Sequence, residues 1–156
     1  MKLTNKLLIG TAALSVLMVI CYFVFRTPKM LAPLRGKITS KFGSRKHPIT
    51  GVIQEHNGVD ISAAVGTPVQ APKSGKVAFT NTTSTGGKQM VLLHDNNYQT
   101  GYAHLSAQLL KTGDKVSKGQ IFAKTGNTGA TTGAHLHLTV TNPKGVKIDP
   151  EKIFNF

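Results

Sequence analysis

Six histidines, at positions 47, 56, 94, 104, 135 and 137, are the residues of this sequence whose type and spacing could do chemistry. His135 and His137 stand in H-L-H-L, alternating with Leu136 and Leu138. On a strand of period two the imidazoles share one face and the leucines the other, so two nitrogen ligands or two proton acceptors converge. His56-Asn57-Gly58-Val59-Asp60 supplies an imidazole and a carboxylate around a glycine, which lets the backbone bend until both reach one ion. His104, in Gly101-Tyr102-Ala103-His104-Leu105, adds a further histidine at a strand end. Each motif alone recurs by chance or in structural roles, but together they form a denser set than structural roles explain. Zinc accepts such nitrogen and carboxylate donors in a tetrahedron, and a catalytic site leaves the fourth position to water. With one negative charge among the donors the ion stays net positive, so water there can ionise near neutral pH and a carbonyl can be polarised. The single cysteine, Cys21, excludes a disulfide framework and a multi-cysteine zinc module.

The elements that must position these side chains read as all-β. From Leu31 onward glycine, proline, threonine and asparagine punctuate short runs rich in Val, Ile, Thr and Phe. The pattern predicts strands at Lys37 to Ser40, Pro68 to Ala71, Lys76 to Asn81, Gln89 to His94, Gln99 to His104, Ile121 to Lys124 and His135 to Thr141. Turns are predicted at Gly86-Gly87 and Asp95-Asn96-Asn97. Apolar residues nowhere repeat at helical spacing for long, and Ser106 to Lys111 is the longest helical candidate. A compact antiparallel β-barrel or sandwich, of the barrel-sandwich-hybrid kind, is expected. The chain of 156 residues, 40% of them hydrophobic, suits one such domain plus an appendage and rules out two large domains.

The appendage is residues 1–30, ahead of a domain at 31–156. Leu7 to Phe25 is a charge-free run of 19 residues, flanked by Lys2 and Lys6 and by Arg26, Pro28 and Lys29, and long enough to cross a bilayer as a helix. Bulky Val19, Ile20, Tyr22, Phe23 and Phe25 at its end favour an uncleaved transmembrane signal anchor over a cleaved signal peptide, and the residues before Cys21 suit lipidation poorly. A single-pass protein is expected, its domain on the periplasmic or extracytoplasmic side, with a virion membrane as the alternative. The charge bias taken alone would keep the domain cytoplasmic, although long domains translocate despite such charges. The chain carries 19 Lys and Arg against 6 Asp and Glu; four of the basic residues precede residue 30, so the domain keeps +9. That charge calls for a polyanionic neighbour such as wall polymers or lipid headgroups. Nucleic acid is not expected, because the ten aromatics include three in the anchor and no basic helix or stacking motif is present.

Four motifs in order, F-G-S-R-K-H-P-I-T-G at 42–51, H-N-G-V-D at 56–60, Y-A-H-L at 102–105 and G-A-H-L-H at 133–137, resemble those of the LytM/lysostaphin-type zinc endopeptidases, which cut peptide cross-bridges of bacterial peptidoglycan. The resemblance runs from about Leu34 to Phe154 and covers the whole domain. It implies one zinc ion per chain, bound by His56, Asp60 and His137, with His135 and His104 as catalytic residues beside the attacking water. His135 is then the general base. His104 orients the water or donates to the oxyanion, and the two roles could be exchanged. His47 before Pro48 and His94 before Asp95 are read as structural. Arg45 is left outside the catalytic set, as a loop support or a holder of a substrate carboxylate. Asn57 and Tyr102 are candidates for substrate contact, but turn chemistry for Asn57 and packing for Tyr102 are the favoured readings, and Asp149-Pro150 is read as a closing turn.

The implied function is hydrolysis of peptide bonds in the peptidoglycan stem or cross-bridge, for wall remodelling or local wall opening, including entry of a virion or conjugation. Envelope, secretion or virion proteins are the partner classes this leaves. The alternative is a non-catalytic module of the same family that binds the wall or regulates other hydrolases, against which all five site residues argue. A biotinyl or lipoyl carrier shares the strand pattern of A-P-K-S-G-K-V and G-D-K-V-S-K-G-Q-I but would need a hairpin lysine, and none lies between Thr125 and Pro143.

Overall fold

The computed structural model of the chain describes residues 29–46 and 51–156. The expected anchor at 7–25 and His47 lie outside the described residues. Among the described residues no helix is long and apolar enough to cross a membrane.

Among the described residues thirteen strands follow in chain order: β1 (Ile38–Ser40), β2 (Gly43–Lys46), β3 (Ile53–His56), β4 (Val59–Ser62), β5 (Pro68–Gln70), β6 (Gly75–Thr83), β7 (Gly87–His94), β8 (Gln99–Leu105), β9 (Ala107–Gln108), β10 (Lys115–Val116), β11 (Ile121–Lys124), β12 (His135–Thr141) and β13 (Lys147–Ile148). Among the described residues one 3-10 turn occurs, Pro150–Lys152, capped by Asp149, whose Oδ1 accepts from the Glu151 amide at 3.0 Å. The large sheet runs β1-β4-β12-β8-β7-β6-β10, with β13 paired to β12; β5-β11-β9 form a second sheet and β2-β3 a separate ribbon. All ladders between these strands are antiparallel, as the all-β reading expects.

Every expected strand is present with its ends shifted by at most a few residues. The helical candidate Ser106 to Lys111 is instead the short strand β9 and a loop. It lies beside β11, where the Ser106 and Leu109 amides bond to Lys124 and Phe122, so pairing wins over a marginal local propensity. At the Asp95 to Asn97 turn, Asn97 takes φ 60°, a conformation that asparagine tolerates.

One core joins the sheets. Val59 and Ile61 of β4, Met90 and Leu92 of β7, Leu136, Leu138 and Val140 of β12, and Phe122 of β11 are fully buried, and Tyr102 meets Phe122 edge to face at 4.8 Å. A directed polar chain crosses this core. The Tyr102 hydroxyl donates to Thr100 Oγ1 at 2.8 Å, Thr100 donates to His94 Nε2 at 2.8 Å, and His94 Nδ1 donates to the Lys73 carbonyl at 3.0 Å. Every member is satisfied, which is what allows polar groups at this depth. Burial pushes His94 below its ordinary value, against the backbone bonds of Lys73 and Ser74, which favour the charged form.

Two glycine substitutions and one histidine substitution test this packing. A Cβ at Gly58 would lie 2.3 Å from the Leu138 carbonyl oxygen, whereas one at Gly133 meets nothing. Gly58→Ala is expected to lower stability by about 2 to 3 kcal/mol and Gly133→Ala to change it by less than about 0.5 kcal/mol, read from denaturant melts. Because the folded pKa of His94 is depressed, its contribution is complete above pH 6.5 and is lost as pH falls toward the folded value. Denaturant melts across that range, at fixed metal loading, are expected to show a shallower acid decline for His94→Gln than for the unchanged chain.

Candidate metal centre and active site

The centre is assembled by the ladder between β4 and β12. Its register sets Asp60 opposite His137 and Ser62 opposite His135. Leu136 and Leu138 are anchored in the core, so the alternation of the strand turns both histidines to the other face. His56 enters from the ribbon, at the end of β3, and His104 from β8, whose Ala103 lies opposite His137. The chain bends at Gly58, as expected, and a second reason for glycine appears there. Its φ is not in the left-handed region; it is glycine because the chain there presses against β12, with the Leu138 carbonyl and His137 ring where a side chain would stand.

Three donor atoms meet. His137 Nδ1 is 2.8 Å from Asp60 Oδ1, His56 Nε2 is 3.3 Å from the same oxygen, and the two nitrogens are 3.1 Å apart. The opposite nitrogen of each ring is tied down. His56 Nδ1 donates to the Lys41 carbonyl at 2.8 Å and His137 Nε2 donates to Asn57 Oδ1 at 3.1 Å. Both rings therefore turn lone pairs toward a carboxylate oxygen, an arrangement that needs a positive charge among the three. These separations approach the edge of about 3.3 Å in a tetrahedron of bonds near 2.0 Å, so the donors fit a zinc-sized ion. Burial pushes the Asp60 carboxyl up, while hydrogen bonding and charge from the His137 and His56 side chains pull it below the ordinary carboxylate range, a pull that itself needs positive charge between the rings and the oxygen.

His135 and His104 stand beside the three donors, their rings 4.7 Å apart. His135 Nδ1 donates to the Gly133 carbonyl at 2.8 Å, with Thr131 Oγ1 at 3.3 Å, and its Nε2 lies 3.7 Å from Asp60 Oδ1. His104 Nδ1 donates to the Thr128 carbonyl at 2.8 Å. Burial lowers the His104 pKa, as do His135 and His137, while the Thr128 bond works the other way. The His104 backbone is at φ 59°, an unusual left-handed conformation for a non-glycine residue, held by its amide bond to the Gly86 carbonyl at 2.8 Å. An open groove of about 1010 Å³ runs over the cluster, walled by the β2-β3 ribbon on one side and by Thr85, Gly86, Gln89 and residues 130–134 on others.

All five sequence-derived site residues are thus brought together. His94 is part of the core chain, and Tyr102 is core packing with 2% exposure. Two residues were undervalued. Asn57 is more than turn chemistry, since it holds His137, and Arg45 reaches Asp60 Oδ2 with Nη2 at 3.5 Å. The R-x-H-P and H-N-G motifs already marked both positions.

The chain belongs to peptidase family M23, whose model matches residues 54–150. It is 44% identical over 104 residues to the peptidoglycan DD-endopeptidase ShyA of Vibrio cholerae, an alignment covering 66% of this chain and 24% of that protein. A zinc-containing peptidase of Vibrio cholerae superposes with TM-score 0.70 at 38% identity, over 76% of this chain and 37% of that one. The catalytic domain of the antimicrobial peptidase lysostaphin from Staphylococcus simulans superposes with TM-score 0.66 at 33% identity, over 74% and 90%. The chain spans about a quarter of the length of the curated relatives it matches.

The left-handed backbone at residue 104 gives a stability test independent of activity. His104→Gly is expected to be more stable than His104→Ala by about 1 kcal/mol, because only glycine adopts that conformation without strain. Equal melting of the two variants would contradict a strained backbone there.

Proposed function

We propose that the chain is a zinc endopeptidase that hydrolyses peptide bonds in the stem or cross-bridge of bacterial peptidoglycan, with His56, Asp60 and His137 as the metal ligands. The observation that carries this reading is the convergence of two imidazole lone pairs on Asp60 Oδ1 at the floor of an open groove. The names of the relatives support the substrate class. Zinc is the cofactor, and when bound it lowers the pKa of water and polarises the scissile carbonyl.

The protein's own residues position the peptide and move protons. An open trough suits an extended peptide that joins glycan chains and enters from the side. His135, its Nδ1 hydrogen fixed on Gly133, presents the Nε2 lone pair beside the metal ligands. It takes a proton from the attacking water and passes it to the leaving amine. His104 begins neutral, since burial and its neighbours disfavour the imidazolium, and its Nε2 accepts a hydrogen bond that orients the water. Donation by His104 to an oxyanion requires that it first gain a proton.

The charge-free run 7–25 serves as a single-pass anchor, holding the domain on the side of the membrane where the wall lies. The +9 of the remaining chain complements anionic wall polymers. Five convergent site residues favour this enzyme over a regulatory module that only binds the wall.

Purified peptidoglycan incubated with the full chain in detergent is expected to release muropeptides, whose masses identify the bond cut. Release stops on chelation and resumes with zinc. His137→Ala is expected to lose both zinc and cleavage. His135→Ala keeps zinc and loses turnover by about 10²- to 10⁴-fold. Equal metal loss in the two variants would refute the division of roles, and stoichiometric zinc without any product would refute the enzyme.

A further inference from the structure

The two oxygens of Asp60 face different surroundings. Oδ1 points to His137, His56 and, more distantly, His135, whereas Oδ2 faces Arg45 Nη2 at 3.5 Å. Arg45 is the third residue of β2, opposite Gln54 of β3, in the ribbon that also ends in His56. Its side chain is only 24% exposed, and Nε is buried with no hydrogen-bond partner. The guanidinium is therefore packed into the groove wall rather than extended into solvent. A partly buried guanidinium 3.5 Å from a carboxylate oxygen forms an ion pair that solvent screens less than it would a surface pair.

We propose that Arg45 is a positioning residue that occupies Asp60 Oδ2 and so restricts the carboxylate to ligation through Oδ1 alone. This rests on the reading of Asp60 as a zinc ligand. A carboxylate with both oxygens available can bind an ion through one or both. The second oxygen would take up the coordination position that a hydrolytic centre must keep open for water. With Arg45 on Oδ2, the second lone-pair set is turned to the guanidinium and the open position is preserved. The arrangement also ties two functions to one ribbon: β3 delivers a ligand, and β2 delivers the group that sets how another ligand binds.

Cobalt substitution tests this directly, because the visible absorption of divalent cobalt is intense in four-coordinate sites and weakens as coordination rises. The full chain, Arg45→Met and Arg45→Lys are loaded with one equivalent of cobalt, and spectra are compared alongside kcat and KM of the zinc forms on a peptidoglycan peptide. Arg45→Met is expected to keep one metal per chain, to lose absorption intensity, and to lose kcat at least tenfold with little change in KM. Arg45→Lys, which keeps the charge, is expected to restore part of both. An unchanged cobalt spectrum in Arg45→Met overturns the proposal whatever the activity. A raised KM with an unchanged spectrum overturns it in favour of a substrate contact. If Arg45→Met does not fold, Arg45→Gln and Arg45→Lys are judged by the same spectrum. Failure of the unchanged chain to bind cobalt, or an Asp60→Asn spectrum identical to it, would instead refute Asp60 as a ligand and with it the proposed metal centre.

Discussion

The antiparallel pairing of β4 with β12 is the constraint on which the rest of the structure depends. In its register Asp60 lies opposite His137 while Val59, Ile61, Leu136 and Leu138 are sealed in the core. A slip of one residue would turn the leucines to the groove and the histidines into an apolar interior, so the same burial that stabilises the fold also fixes the site. The remaining groups are fitted to this ladder. β8 lies on the far side of β12 and brings His104, and the ribbon that precedes β4 in the chain brings His56. Gly58 is the point of closest approach, where the backbone after His56 passes against β12.

A second set of contacts converts proximity into chemistry. An imidazole can present either nitrogen, and which one holds the lone pair is decided by what the other one meets. Lys41, Gly133 and Thr128 each offer a backbone carbonyl to a ring nitrogen, and Asn57 offers its side-chain oxygen. Four rings are thereby set with their acceptor nitrogens inward. Inward lone pairs around a buried carboxylate are balanced only by positive charge among them. The outcome is a compact electronegative cluster with the donors to hold a metal ion, at the base of an open groove.

How much of this was legible in the sequence differs by element. β7, β8 and β12 have the length and the β-branched or alternating content that a period-two pattern exposes. The ribbon does not: three of the four residues of β3 are exposed, so Ile53, Gln54 and Glu55 show no alternation, and pairing with β2 alone makes them a strand. β4 is four residues long and was visible only as part of a ligand motif. At the site, residue types and spacing exposed His56, Asp60, His104, His135 and His137. Their outer partners were largely hidden, because a backbone carbonyl such as that of Thr128 leaves no mark on the sequence. Arg45 and Asn57 could be seen but not weighed, since their importance lies in one contact each. The left-handed backbone of His104 was also beyond reach, because histidine at that position carries no signal of its φ.

The central claim is that His56, Asp60 and His137 hold zinc through nitrogen and oxygen donors set by the surrounding backbone. X-ray absorption at the zinc edge, on the purified full chain loaded with one equivalent of zinc, tests it most directly. The account predicts only nitrogen and oxygen neighbours at about 2.0 to 2.1 Å, with the multiple-scattering signature of two imidazoles, falling to one in His137→Ala if residual zinc remains. Sulfur scattering, a shell of six oxygens without imidazole, or an imidazole count unchanged in His137→Ala would contradict it.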